Sequence, residues 1–499
     1  MIFSKKTLLL LGAVLVIAVG VFVLFNSKIA SIVPGIKKPL NIVVIDICSA
    51  RADHFSYNGY FRKTTPNIDK FAKKSVAFEN AWTQANWCLP NLTTLHTGTR
   101  PETNKMLMAD LSFGPPSSSA QTLAQILTKK GYDTAGFAGM TFFTDQYGLT
   151  RGFNSFTNAY DTQALMAMSF EENLPEVKNF LTSHKKSTNP FFLYMTVDDL
   201  HSPYYTDDQN FFDPGYTGIF NSLGNSGMLK EDAHSMDMSM TPSLRLGGNF
   251  FQRLYNGETV QKLYNQPLNR LDDNTRRQVE ALIKNVDTVK GNPKELSHFV
   301  ARYDASLNRV DRLVGEVLSQ LEKDYKNNTV VIITAHQGEY LGEKGLLGHS
   351  QGLNEGVLNV PLLIYYPGAN KGVNSNLVER IDIPATILDM VEILPDYKDQ
   401  FVGTSLLPLI KGENVTWKDF IFASTRSVSS ISEPFVIDER AVRNSQYKLI
   451  WSANKPQQYE LYDLKADPGE IRNIAASNQQ VFSNLKAQLD AYVNKFTEK

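Results

Sequence analysis

Three apolar runs constrain the fold more than any other feature of the chain: NIVVID (41–46), NPFFLYMTVDD (189–199) and NNTVVIITAHQGE (327–339). A strand with one wet face alternates apolar and polar residues. These runs are continuous and rich in β-branched residues, as expected of strands buried on both faces in the middle of a parallel sheet. Each run also exits into polar chemistry: Asp46, then DDLHSPY, then TAHQGE. Open α/β sheets gather their ligands beyond the carboxyl ends of such strands. Fold class and the place of a site are therefore predicted by the same segments.

The intervening segments have helical character. TPNIDKFAKKSVAFENAW reads as a helix with Asn67 near its start, and QTLAQILTKKGYDTAGFAG as helix, glycine stop and strand. LSHFVARYDASLNRVDRLVGEVLSQLEKDY carries apolar residues at helical spacing. Alternating helices and buried strands predict an α/β protein: a mostly parallel central sheet with helices on both faces. Residues 205–295 are richer in Asn, Ser, Met and Gly and read as an excursion over the site. Beyond RIDIPATILDMVEILP, the pieces FIFAST, RAVRNSQYKLIW and YELYDL and a last amphipathic helix predict a smaller C-terminal antiparallel-sheet subdomain. The expected division is 1–38, 39–392 and 393–499.

Charge excludes one class of partner. Fifty Lys and Arg against 51 Asp and Glu give a net charge of -1, which does not point to nucleic acid. Two cysteines in 499 residues cannot form a disulfide framework, although one bridge is open. At the N-terminus, TLLLLGAVLVIAVGVFVLF (7–25) carries no charge. A run of about 20 apolar residues matches a bilayer, whereas a signal-peptide core runs about 7–15. Lys5 and Lys6 place the N-terminus in the cytoplasm and the body outside it. The chain is thus expected to be membrane-anchored and extracytoplasmic, with residues 1–38 as start, anchor and stalk.

Several segments, in order and spacing, resemble the sulfatase family: NIVVID, RADH, CLP followed by TG, DDLHSPY, FDPGYTG, TAHQGEYLGEKGLLGH, NEGVLNVPLLI, DIPATILDM and ELYDLKADPGEIRNIA. The resemblance runs from about residue 40 to residue 475. It implies an alkaline-phosphatase-like α/β sandwich and hydrolysis of sulfuric esters. Relatives cleave phosphate or phosphonate esters or transfer headgroups, and a fold-keeping, non-catalytic anion-binding protein is a third reading. The implied substrate is an anionic ester, either a sulfated glycan or a phospho-compound.

The same resemblance assigns candidate residues. Cys88, Pro90, Thr97 and Gly98 match the nucleophile motif, in which cysteine is oxidised to formylglycine; Asn91 and Leu92 replace its serine and arginine. His201 matches the H-x-P histidine that contacts the anion or protonates the leaving oxygen, and His349 lies where relatives bind the anion. Glu355, Arg51 and Asp53 match supporting positions. One divalent ion, calcium or zinc, is implied at Asp46, Cys88, His336 and Gln337, with Ile47 and His336 standing where carboxylates are usual. Calcium wants about six to eight oxygen ligands, whereas nitrogen and thiolate favour zinc-like ions. A weakened site, a zinc-like site including Cys88 and no metal are all compatible with these residues. Cys48 lies two residues past Asp46, on the same side of the strand, so a Cys48–Cys88 bridge is a further possibility.

Deleting residues 1–38 is expected to release a soluble, folded body, because the motifs begin at about residue 40. Size-exclusion chromatography and circular dichroism check this. An aggregated truncation beside a monodisperse full chain in detergent would overturn the anchor reading.

Overall fold

The computed structural model describes residues 39–497 except 107–119, 162–165, 168, 202, 203, 205, 222–249, 265, 429–435, 454 and 456. The apolar run at 7–25 lies outside the described residues. Among those described, no helix is long and apolar enough to cross a membrane.

The three runs form the centre of an eight-stranded sheet. Asn41–Ile47 lies between Thr329–Ala335 and Phe191–Val197 and pairs in parallel with both, so that Asp46 sits opposite Thr334 on one side and Thr196 on the other. All three strands are buried along their whole length. Asp133–Ala138 and Ser155–Asn158 extend the sheet in parallel beyond Phe191–Val197. On the other side come Leu362–Tyr365, Val76–Trp82 and Gly372–Glu379; only Leu362–Tyr365 runs against the rest. The expected mostly parallel sheet is what the chain forms.

The two-residue period of the first strand divides the core. Val43, Ile45 and Ile47 pack with the helices Phe170–His184 and Pro293–Tyr325, whereas Ile42, Val44 and Cys48 pack with Cys88–Thr97, Leu123–Lys129 and Asp382–Met390. Asp46 and Cys48 therefore face the layer that holds Cys88. Val330 and Ile332 face the same layer, and the same alternation carries Thr334 and His336 to that side.

One segment departs from the expected helix. In TPNIDKFAKKSVAFENAW the helix covers only Pro66–Ala72, with Pro66 at its first turn. The Asp311 carboxylate accepts its Asn67 and Ile68 amides at 2.8–3.1 Å. Val76–Trp82 is instead a strand, because the slot between Leu362–Tyr365 and Gly372–Glu379 pairs its backbone on both sides. Tertiary pairing overrides the helical spacing there.

The C-terminal sheet orders Ile421–Val428, Val436–Arg443, Tyr447–Ser452 and Tyr459–Asp463 antiparallel throughout. Leu485 and Leu489 of the last helix, Gln479–Thr497, cover Val442, Leu449 and Leu461. Glu355 ties this sheet to the main one: its carboxylate accepts Arg443 Nη1 at 2.6 Å, Lys448 Nζ at 3.2 Å and the Trp82 indole at 3.3 Å. Its role is structural.

The helix Cys88–Thr97 stops at Gly98, whose φ of +66° suits glycine and whose amide reaches Thr94 O at 2.8 Å. A Cβ there would lie 2.9 Å from the Phe401 Cα and closer still to its ring. Gly98→Ala is expected to cost about 2–4 kcal/mol, from left-handed strain plus overpacking. Urea unfolding checks this; a change within about 0.5 kcal/mol, the range of an ordinary surface substitution, would contradict it.

Candidate active site

The carboxyl ends of the three central strands bring a buried polar cluster together. The Asp46 carboxylate, completely buried, is paired with the Arg380 guanidinium, accepts the Tyr194 hydroxyl at 3.0 Å and lies 3.2 Å from His336 Nδ1. Arg380 also donates to the backbone oxygen of Asn91, inside the Cys88–Thr97 helix. It thus joins the first strand to that helix. Burial alone would raise the Asp46 carboxyl; Arg380 and His336 outweigh it and hold the group below its ordinary value.

A sulfur pair lies beside this cluster. Gln337 Nε2 donates to Cys48 Sγ at 3.5 Å and to Cys88 Sγ at 3.4 Å. Ligand atoms of Cys48, Cys88 and His336 lie within 4.8 Å of one another, and both cysteines are free thiols. Burial, and then the neighbouring Cys88, pushes the Cys48 thiol well above its ordinary value. Burial pulls His336 down, but the Cys48 sulfur and the Asp46 carboxylate more than offset it and lift the imidazole to about 10. Cys48 is then a neutral thiol, so of the two groups that lift His336 only Asp46 carries a lasting charge.

A third group also approaches Cys88. His349 Nε2 is 4.0 Å from Cys88 Sγ, and His349 Nδ1 is 2.8 Å from Glu339 Oε2. Glu339 is completely buried; its other oxygen accepts the Tyr204 hydroxyl at 3.1 Å and Gln252 Nε2 at 3.5 Å. Gln252 belongs to the expected excursion, which therefore reaches the site. Burial would lower His349, and the Glu339 carboxylate outweighs it, so the imidazole is raised. The His201 ring meets the His349 ring edge-on at 5.1 Å. Backbone conformation is unusual here: Ser49, Tyr204 and Ser350 all have φ between +52° and +75°. Left-handed non-glycine residues carry strain, and such residues cluster at functional sites.

Cys88, His201 and His349, the three residues named from the sequence, lie next to one another. The expected metal set does not assemble in the same form. Cys88 and His336 join the donor group, Asp46 faces Arg380 instead, Gln337 turns its amide nitrogen to the sulfurs, and Cys48 takes a ligand position. Three participants were missed. Arg380, inside VERIDIP, is a lone cation in an otherwise buried stretch, and that was its only signal. Glu339 is an ordinary carboxylate of TAHQGE until His349 folds onto it. Asp198 ends its strand in DDLH; burial lifts its carboxyl to about 6, and its Oδ1 has no hydrogen-bond partner among the described residues. Arg51 grips Asp53 at 2.7 and 3.0 Å and Glu343 at 2.6 Å, bracing the loop after the first strand.

The groups implied by the resemblance can be tested against these contacts. Calcium does not fit: the Asp46 carboxylate is neutralised by a guanidinium, and beyond the Asp198 carboxylate and the Gln337 amide oxygen the donors gathered here are sulfur and nitrogen, too few oxygens for that ion. Formylglycine does not fit either. Asn91, at the motif serine, spends its side chain on Gln84 N, Ala85 N, Ala85 O and Trp87 O, and Leu92, at the motif arginine, is buried among apolar groups. The surroundings of residue 88 are those of a sulfur.

Comparison with known proteins accords with this fold. The model of the sulfatase family matches residues 40–393, and that of the C-terminal region of N-sulphoglucosamine sulphohydrolase matches 342–498. An arylsulfatase of Clostridium perfringens is 24% identical over 460 residues, covering 88% of this chain and 91% of its own. A solved sulfatase-fold complex with D-glucosamine-2-N,6-O-disulfate superposes with a TM-score of 0.68 at 20% identity, over 93% of this chain and 99% of the other. A phosphonate monoester hydrolase of Agrobacterium radiobacter superposes with a TM-score of 0.66 at 18% identity, over 92% and 96%.

Removing Arg380 strands a buried carboxylate. Arg380→Met is expected to cost about 3–5 kcal/mol. Adding Asp46→Asn should return at least about 1 kcal/mol, because the stranded charge goes too. Urea denaturation of both single variants and the double variant checks this. Strict additivity would show that the pair is not the constraint it is taken to be.

Proposed function

The chain belongs to the sulfatase family, and from that premise we propose that it is a sulfuric ester hydrolase, acting outside the cytoplasm on an anionic ester of the sulfated-glycan class. The carrying observation is the line Glu339–His349–Cys88, with His201 beside it, at the amino end of the ten-residue helix Cys88–Thr97. The amide groups of a helix amino terminus favour an anion. Arg380 neutralises Asp46, and His336 and His349 present imidazoles backed by the Asp46 and Glu339 carboxylates, so a sulfate would meet ring nitrogens and helix amides there and not bare carboxylates. His349, oriented by Glu339, is placed to protonate the alcohol oxygen as it leaves, and His201 borders the same space.

Sulfatase-family enzymes generally use a metal ion and formylglycine; the contacts around Cys88 give no step through either calcium or formylglycine here. A thiol attacking ester sulfur would form a sulfur–sulfur adduct with no second hydroxyl to expel it. The attack is therefore assigned to water, and Cys88 to the wall of the site. The disulfated glucosamine bound by the structural neighbour supports a glycan sulfate as substrate class, and the phosphonate hydrolase of the same fold names the competing ester. The uncharged run at 7–25 and Lys5 and Lys6 before it support the outer location.

The full chain in detergent is expected to release sulfate from glucosamine 6-O-sulfate. His349→Gln should lower kcat by about 10²–10⁴-fold and Glu339→Gln by less, with KM nearly unchanged. Ion chromatography of released sulfate reads this. Release of phosphate or phosphonate from the matching esters, without sulfate, would favour the phosphoester reading; binding without turnover would favour the non-catalytic one.

A further inference from the structure

We propose that Cys48, Cys88 and His336 bind one thiophilic divalent ion of the zinc type. The chain has only two cysteines, 40 residues apart, and its folding brings both to one buried pocket. Their sulfurs and a His336 ring nitrogen lie within 4.8 Å of one another. Bond lengths of about 2.3 Å to sulfur and about 2.0–2.1 Å to nitrogen place donors about 3.5–3.8 Å apart around a tetrahedral ion. Only a small contraction separates the structure from that geometry.

Independent observations point to a ligand there. His336 is completely buried and its Nε2 has no hydrogen-bond partner among the described residues, while Nδ1 is committed to Asp46 at 3.2 Å. A carboxylate on the remote nitrogen is the usual support of a metal-bound histidine, because it fixes the tautomer that frees the other nitrogen. Asp46 is itself held by Arg380 and Tyr194, so the support is rigid. Gln337 Nε2 donates to both sulfurs, a contact that would support them as thiolates once a cation displaced their protons. Two sulfurs and one imidazole leave the fourth position open, the arrangement of catalytic rather than structural zinc sites.

The catalytic part of the inference rests on the hydrolase reading. Water at the open position would lie beside the space bordered by Cys88 and His349. Its oxygen bonds to the ester sulfur as the sulfur–oxygen ester bond breaks, and the electron pair leaves with the alcohol oxygen, which takes the His349 proton. His349 takes back the proton that the attacking water loses, so ester and water yield alcohol and hydrogen sulfate.

The test begins with the full chain in detergent, purified without chelator, stripped and then titrated with zinc, cobalt and calcium separately. Elemental analysis should find about one zinc per chain and no retained calcium, and cobalt should give a sulfur-to-metal charge-transfer band in the near ultraviolet. Cys48→Ser should cut that band to about half or less, and Gln337→Leu should weaken zinc binding about 10–100-fold. The band in the unaltered protein stands even where a variant fails to fold. Retained calcium, cobalt bound without a thiolate band, or an intact mass showing a Cys48–Cys88 bridge would overturn the proposal. Zinc bound with no ester cleaved would keep the site and reject the hydrolase reading. Full sulfate release after zinc is stripped would do the reverse for the catalytic step.

Discussion

The ion pair between Asp46 and Arg380 is the contact on which the rest of the site depends. Both groups are completely buried, so neither can exchange its partner for water. Removing charges from water costs more than a single Coulomb contact repays, and such pairs persist where further hydrogen bonds satisfy the remaining atoms. Tyr194 and His336 do this for Asp46, and the Asn91 carbonyl takes a second arm of Arg380, whose Nε has no partner among the described residues. One guanidinium thereby fixes the end of the central strand, the orientation of His336 and the position of the Cys88 helix. A shift of any of the three would separate donors that the other two hold still.

Much of this architecture was legible because strand chemistry is local. A continuous β-branched run has one comfortable place, and the period of two was enough to put Asp46 and Cys48 on one face. Register with the neighbouring strands then carried His336 to the same side. Val76–Trp82 was misread because its pairing partners lie almost 300 residues away, and nothing within the segment records them. The same holds for the chemistry. Cys88, His201 and His349 stood in recognisable motifs, whereas Glu339 and Arg380 acquire their roles only through contacts with distant residues. Arg380 sits 288 positions from Leu92 in sequence, yet it touches the carbonyl of Asn91, the residue before it. From sequence alone, Leu92 marked a missing cation; in the fold, a cation enters that helix from another element.

The C-terminal sheet and the excursion act on the site in different ways. Glu355, Arg443 and Lys448 clamp the small sheet to the edge of the large one through buried charge. The excursion contributes Gln252, which meets Tyr204 and Glu339 behind His349. Such second contacts fix the acid before any substrate arrives, and preorganised donors are what make electrostatic catalysis effective.

The substitutions in the site form a consistent set. A hard ion held by several carboxylates needs anionic oxygen at the strand ends, and here one such position is Ile47 and another is His336. With only Asp46 and Asp198 left there, an oxygen-loving cation would be under-coordinated, and a covalently attached cation, Arg380, satisfies Asp46 without needing six ligands. The pairing turns Asp46 from a potential ligand into the support of His336. An imidazole held that way, with two sulfurs nearby, is a softer donor group than the one it replaces. Restoring a carboxylate at residue 336 alone would not rebuild a calcium site, because Arg380 would still occupy Asp46 and the Gln337 amide would still face sulfur. The change from hard to soft chemistry therefore lies in the buried network as a whole.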